Sequence, residues 1–322
     1  MKAWQFTGTN NPLQLNEVPE PHAGPGQVVV EVKAAGVCHS DVTALDDPGW
    51  MPLFFELPRT MGHENAGVIT EVGEGMEHWK VGDRVGLAPV MSDGDALGYG
   101  KWDGGFGPKL LATDDNLVRL PDEVPFDLAA MATDAGLTAY HAIMAVGGAK
   151  AGMKVGVIGF GGLGQIGARA AVLAGAEVHV AEMKEEAWPA AKEVGAVSCV
   201  RDAAEWVDAA NPRAGGDFDL IVDYAGFDTT QKAVNAVKRG GKVVQVGLGK
   251  PTFTVATNTI LGKSIEGSLG GTVADIEEVF DLMLRGEIRP GYEEITFDQV
   301  GEGLERLKNN QVLGRLVARF GA

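Results

Sequence analysis

The chain has 322 residues, 45% of them hydrophobic, with 46 glycines and 15 prolines, a globular composition with room for two domains. Its 27 basic and 44 acidic residues leave a net charge of −17, a sign that repels nucleic-acid phosphates and anionic membranes and predicts neither as a partner. Two cysteines, Cys38 and Cys199, exclude a disulfide framework and suit a reducing cytoplasm.

The N-terminal MKAWQFTGTNN lacks the apolar core of a signal peptide, and the longest apolar runs are broken by Gly, Lys or Asp, so a cytoplasmic protein is expected. PEPHAGPGQ (19–27) reads as a loop. Three short β-branched stretches bounded by Gly or Pro follow as strands: QVVVEVKAA (27–35), NAGVITEVG (65–73) and DRVGLA (83–88). Residues 90–107 are rich in Gly and Asp and read as a surface loop. Trp50, Met51, Phe54, Phe55 and Trp102 lie in or near loops, where they either line a bulky substrate pocket or anchor the loops.

From about Phe126 strands and helices alternate. Strands are expected at 154–158, 177–181, 197–200, 219–223, 242–246 and 264–268, with Ala-rich helices at 163–174, 185–194, 203–210 and 229–237. That alternation predicts an α/β architecture, a parallel sheet covered on both faces in a doubly wound, dinucleotide-binding fold. A helix at 274–285, a strand near 294–297 and a helix at 299–309 are expected to return to the first domain.

Two groups of residues carry chemistry. The expected strand 154–158 runs into GFGGLG, Gly159 to Gly164, ahead of a helix. Gly159 permits the tight turn, Gly161 lets the backbone approach a pyrophosphate, and Gly164 lets the helix pack closely; Gly162 and Leu163 complete the turn. The helix N-terminus then offers N–H groups and partial positive charge to phosphates. Glu182 follows Gly164 by 18 residues at the tip of the next strand. A carboxylate there accepts from both ribose hydroxyls of NAD and repels the 2′-phosphate of NADP, so NAD is the expected cofactor; the plainer alternative is a solvated helix-opening Glu.

The second group is GVCHSD with Cys38, GHE with His63 and Glu64, and Asp134. Thiolate, imidazole and carboxylate form a tetrahedral zinc set with one open position. Each also has an ordinary reading alone: a buried small Cys, a hydrogen-bonding His, and an Asp capping a helix over 136–146.

Together these residues resemble the zinc-dependent medium-chain dehydrogenase/reductases, the alcohol dehydrogenase superfamily. The likeness runs through GVCHSD, MGHENAGVITEVGEGMEHWKVGDRV, DAGLTAYHA, GFGGLG, FDLIVDYAG, GGKVVQVGL and VLGRLV, nearly the whole chain. The resemblance implies a β-rich GroES-like catalytic domain (1–134 with 270–322) and a Rossmann domain (135–269). It implies a hydride-transferring alcohol dehydrogenase or carbonyl reductase acting on a small molecule. Cys38, His63 and Asp134 are then zinc ligands, with Glu64 an exchangeable fourth, and Asp41 holds His63. Ser40 contacts the substrate oxygen and starts a proton relay that Thr43 continues, where relatives often place a histidine. His39 and Arg315 approach the pyrophosphate, and Leu248 and Leu269 flank the nicotinamide. The family's structural-zinc lobe carries four cysteines, yet residues 90–107 contain none. One zinc per subunit is therefore expected, in a homodimer or homotetramer. Two other readings compete: a zinc-free quinone or enoyl reductase of the same superfamily, and a non-catalytic dinucleotide-binding redox sensor. The Cys38–His63–Asp134 set and Ser40 argue against both.

Overall fold

The computed structural model describes residues 1–207, 216–250 and 252–321, and its contacts divide the chain into two units, Met1–Ala135 with Thr272–Ala322, and Gly136–Gly271. The first unit begins with β1 (Lys2–Phe6), β2 (Gln14–Glu17), β3 (Val28–Val37), β4 (Arg59–Thr60), β5 (Glu64–Val72), β6 (Arg84–Leu87), β7 (Lys109–Ala112) and β8 (Leu117–Arg119). β3 is buried along nearly its whole length, which explains its near-continuous run of Val and Ala in place of strict alternation. The helix Phe126–Met131 packs on β3 and β5, while Phe6, Met61, Phe106 and Leu110 join Val28, Val30 and Val32 in the core.

The second unit contains β9 (Lys154–Ile158), β10 (Glu177–Ala181), β11 (Ser198–Val200), β12 (Phe218–Asp223), β13 (Val237–Gln245) and β14 (Ser264–Gly267). Among the described residues these form one parallel sheet in the order β11-β10-β9-β12-β13-β14, the doubly wound arrangement of a Rossmann fold. β13 starts five residues earlier than the expected 242, because Val237 already pairs with Phe218 and a bulge takes up the intervening residues. The expected helix 185–194 is divided: a 3-10 turn Glu185–Ala187 precedes a helix Trp188–Glu193 whose second residue is Pro189, tolerated only in a first turn. In place of a helix over 203–210 there is a 3-10 turn Ala203–Trp206; residues 208–210 lie outside the described residues.

The chain then returns to the first unit with the helix Val273–Leu284, β15 (Tyr292–Thr296), the helix Val300–Lys308 and β16 (Arg315–Arg319). These complete a sheet in the order β15-β16-β3-β5-β6-β8, with β7 also paired to β3. β16 pairs antiparallel with the C-terminal half of β3. The fold is therefore α/β: a β-rich unit and a Rossmann unit. Among the described residues no helix is long and apolar enough to cross a membrane.

One loop differs from expectation and another follows one of its two readings. Residues 90–107 do not lie wholly at the surface: Leu97, Tyr99 and Phe106 are buried and share the core of the first unit. Of the apolar loop residues at 50–55, Phe54 stacks on Phe6 with ring centroids 4.2 Å apart, and Trp50 and Met51 lean on the same core. Within this unit they anchor the loop, whereas Phe55 is exposed.

Candidate metal centre and dinucleotide loop

Cys38 follows β3 directly and is the N-cap of the helix His39–Asp46. Asp41, three residues on, turns back so that its Oδ2 accepts from the Cys38 N–H at 3.1 Å, a cap that fixes the backbone beneath the thiol. Its other oxygen, Oδ1, lies 3.2 Å from His63 Nδ1 and accepts from the Tyr99 hydroxyl at 2.9 Å. Asp41 is fully buried, so these donors satisfy both its oxygens.

His63 stands just before β5, which Glu64 opens, and follows Gly62, whose φ of +96° is a conformation that L side chains rarely adopt. Glu64 is fully buried and lies over Gly36, where a Cβ would overlap its side chain. Arg315, brought in by β16, donates from Nε to Glu64 Oε2 at 3.1 Å, and its Nη2 forms an ion pair with Oε1. The same Nη2 lies 3.9 Å from Asp134 Oδ2.

Asp134 does not cap a helix. The helix starts at Phe126 and continues into a π-helical turn, Ala132–Gly136, that contains Asp134. A π-turn adds one residue to a turn and re-aims the side chains it carries. Here it sets Asp134 Oδ2 3.8 Å from Cys38 Sγ and 3.4 Å from His63 Nε2. Cys38, His63, Glu64 and Asp134 each bring a donor atom within 4.8 Å of the others.

Burial pushes the Cys38 thiol up, but the Arg315 guanidinium and His63 outweigh it and hold the thiol below its ordinary range. Burial opposes a charged His63, yet Asp41 and Asp134 raise it well above the usual imidazole value. Tyr99 is raised well above its usual value by burial and by the Asp41 carboxylate.

This donor set fits a zinc ion. Zn–S of about 2.3 Å and Zn–N and Zn–O of about 2.0 Å at tetrahedral angles require S···O of about 3.5 Å and N···O of about 3.3 Å. The observed separations of 3.8 and 3.4 Å come within a few tenths of an ångström of that. A dication also offsets the carboxylates of Asp41, Glu64 and Asp134, against which the described surroundings set Arg315 and His63.

Ser40 places Oγ 3.6 Å from Cys38 Sγ. The Thr43 hydroxyl donates to the His39 carbonyl at 2.9 Å. His39 is exposed on the same short helix. Arg315, expected at a pyrophosphate, is instead buried against Glu64 and Asp134.

In the second unit, Gly159 has φ +84° and Gly164 packs so closely on the Gly159 carbonyl that a Cβ would overlap it. Beside Gly161 a Cβ would meet nothing within 4 Å, leaving room for a ligand against the backbone. Gly162 precedes Leu163, the N-cap of the helix Gly164–Leu173; Gln165 N donates to the Gly161 carbonyl at 3.3 Å and Ile166 N to the Leu163 carbonyl at 3.0 Å, so the partial positive end of the helix follows the glycine turn directly. The Glu182 carboxylate accepts from Phe160 N at 2.8 Å and from Lys184 N at 2.8 Å, so it lies against the glycine loop. Leu248 and Leu269 are exposed beyond the C-terminal ends of β13 and β14.

Two features of the site escape sequence reasoning. Tyr99 lies between two glycines in a stretch that reads as loop, and its one signal is an aromatic residue with a polar tip. The bond from Arg315 to Glu64 spans 251 positions, so no local pattern announces it.

The alcohol dehydrogenase GroES-like domain family matches residues 24–122, and the zinc-binding dehydrogenase family matches residues 162–285. The sequence is 33% identical to an alcohol dehydrogenase of Geobacillus stearothermophilus, over 99% of both chains. It is 28% identical to the NADP-dependent alcohol dehydrogenase C 1 of Mycolicibacterium smegmatis, over 98% of this chain and 97% of that one. The acetophenone reductase of Geotrichum candidum, solved in complex with NAD, superposes with a TM-score of 0.89 at 31% identity, covering 99% of this chain and 97% of the other.

Proposed function

The chain belongs to the alcohol dehydrogenase superfamily of medium-chain dehydrogenase/reductases, and on that premise we propose that Cys38, His63 and Asp134 hold one catalytic zinc ion, with Glu64 as an exchangeable ligand. The enzyme is an oxidoreductase that interconverts small alcohols and carbonyl compounds with a nicotinamide cofactor. The observation that carries the zinc assignment is the convergence of thiol, imidazole and carboxylate from three distant stretches of chain.

A zinc ion in this set supplies Lewis acidity to the substrate oxygen, and the nicotinamide carries the hydride. The remaining work falls to side chains. Asp41 holds Nδ1 of His63 and so keeps Nε2 aimed at the metal position. Cys38, biased toward its thiolate, contributes charge there. Ser40, beside Cys38, takes the proton from an alcohol or returns it to a carbonyl oxygen. The outward path runs from Ser40 through the ribose hydroxyls to Thr43 or water; the Thr43 hydroxyl, which donates to the His39 carbonyl, passes a proton on only by turning that donor toward water as it accepts from the ribose. Ser40→Ala should lower kcat about a hundredfold, at the lower end of general acid–base effects, with bound zinc and cofactor affinity unchanged. An unchanged kcat removes Ser40 from the path.

The dinucleotide fits the glycine loop, where Gly161 leaves open space and a helix N-terminus faces it. Glu182 beside that loop favours ribose hydroxyls over a 2′-phosphate, so the cofactor assigned is NAD. His39 and Arg315 complete the pyrophosphate contacts in this reading, Arg315 after releasing Glu64, and Leu248 and Leu269 flank the nicotinamide. The catalytic domain comprises residues 1–134 and 270–322 and the dinucleotide domain 135–269, in a cytoplasmic homodimer or homotetramer with one zinc per chain. Steady-state kinetics should give a lower KM for NAD than for NADP, and Glu182→Ala should narrow the gap about tenfold, about one hydrogen bond to a charged group. A lower KM with higher turnover for NADP contradicts the role of Glu182. The function itself is tested by elemental analysis of protein never exposed to chelator, together with nicotinamide absorbance assays on secondary alcohols and ketones such as acetophenone. One zinc per chain with turnover supports the reading; cofactor binding without turnover of any alcohol or ketone favours the redox sensor.

A further inference from the structure

The loop that carries Tyr99 is knotted by one carboxylate. Asp95 Oδ1 accepts from the N–H groups of Ala96 at 2.9 Å and Lys101 at 3.0 Å. The Asp95 N–H donates to Asp93 Oδ1 at 2.9 Å, and its carbonyl accepts from Met91 N at 2.8 Å. Gly98 N donates to the Trp102 carbonyl at 2.9 Å, and Gly98, at φ +77°, sets its backbone against Gly62, the residue before His63. Tyr99 is therefore carried on a closed ring of chain that abuts the turn presenting the metal-binding imidazole.

From that ring Tyr99 points inward and touches both members of the Asp41–His63 pair. Its hydroxyl donates to the Asp41 oxygen that faces His63 Nδ1. Its ring lies 5.3 Å from the His63 ring, tilted by 45°. Phe54 at 5.6 Å and Trp50 at 6.0 Å also pack against the tyrosine ring. An imidazole can swing about its Cβ–Cγ bond. Asp41 prevents this only while its own rotamer is fixed, by the Cys38 N–H on one oxygen and the Tyr99 hydroxyl on the other.

We infer that Tyr99 is a positioning residue for the metal centre: the Asp95-knotted loop presses its ring on His63 and its hydroxyl on Asp41, and together these hold Nε2 at the metal position. The inference rests on the zinc reading above. Partners of this kind around a metal-bound histidine typically change metal affinity by about 10–100-fold. Tyr99 acts one bond further out through its hydroxyl, so Tyr99→Phe should release zinc about tenfold faster into excess chelator. Tyr99→Leu, which also removes the ring, should release it faster still.

The test compares wild type, Tyr99→Phe, Tyr99→Leu and Cys38→Ser for zinc release into excess chelator, for the visible spectrum after cobalt replacement, and for thermal unfolding of the metal-free protein. Faster release in the order Leu, Phe, wild type, with an altered cobalt spectrum and an unchanged metal-free midpoint for Tyr99→Phe, is the expected result. Release from Tyr99→Phe at the wild-type rate overturns the inference while leaving the zinc site standing. A lowered metal-free midpoint with wild-type release also overturns it, since Tyr99 is then only a packing residue. If wild type and Cys38→Ser bind zinc alike, the site assignment fails, and the inference with it.

Discussion

Cys38→Ser is expected to yield a folded protein with well under one zinc per chain and a turnover lower by about a thousandfold. Serine keeps the size of the side chain, so the N-cap position and the Asp41 bond to the residue 38 N–H persist. What disappears is the one sulfur donor of the set, and a neutral hydroxyl is a far poorer ligand than a thiolate. Losing about 4 kcal/mol of Lewis-acid stabilisation corresponds to about a thousandfold in rate. Plasma emission analysis gives the zinc count, and initial rates give the loss. A variant that keeps stoichiometric zinc and wild-type turnover would show that Cys38 is only a buried apolar side chain.

The second large effect lies in stability. Arg315→Met should destabilise the first unit by about 3–5 kcal/mol, the usual cost of removing one member of a buried ion pair. Glu64 is fully buried and Arg315 nearly so, and the guanidinium meets both oxygens of the carboxylate. Removing the cation strands the Glu64 charge beside Asp134. The double variant Glu64→Gln, Arg315→Met should recover much of the loss, because no charge then remains unpaired. Urea unfolding of metal-free protein, followed by tryptophan fluorescence, measures both. Equal midpoints for Arg315→Met and wild type would mean that the guanidinium carries no structural burden.

The strands of the Rossmann unit were legible because short β-branched runs alternate with Ala-rich stretches, and β9 and β10 match their expected bounds. The start of β13 was not legible: KRGGK has no strand signature, and only pairing with Phe218 and its neighbours extends the strand back to Val237. The glycine turn was legible in detail, since Gly159 and Gly164 are each required by the backbone that surrounds them.

At the candidate metal centre, sequence offered chemical types but no geometry. Cys38 and Asp134 stand 96 positions apart and meet only because β3 ends where the π-turn after the helix Phe126–Met131 begins to re-aim its side chains. A π-turn has no sequence signature of its own, so Asp134 reads as a helix cap until the packed structure shows otherwise. Tyr99 was hidden for a related reason. Glycine and aspartate mark residues 90–107 as loop, yet those glycines let the backbone close on residues 61–62 and carry an aromatic residue into the core.

The most direct measurement of the central claim is zinc-edge X-ray absorption on the enzyme as isolated. The ligand set assigned here predicts one sulfur at about 2.3 Å and nitrogen or oxygen neighbours at about 2.0–2.1 Å, with the sulfur shell lost in Cys38→Ser. A zinc shell without sulfur, or one holding two sulfurs, would contradict it.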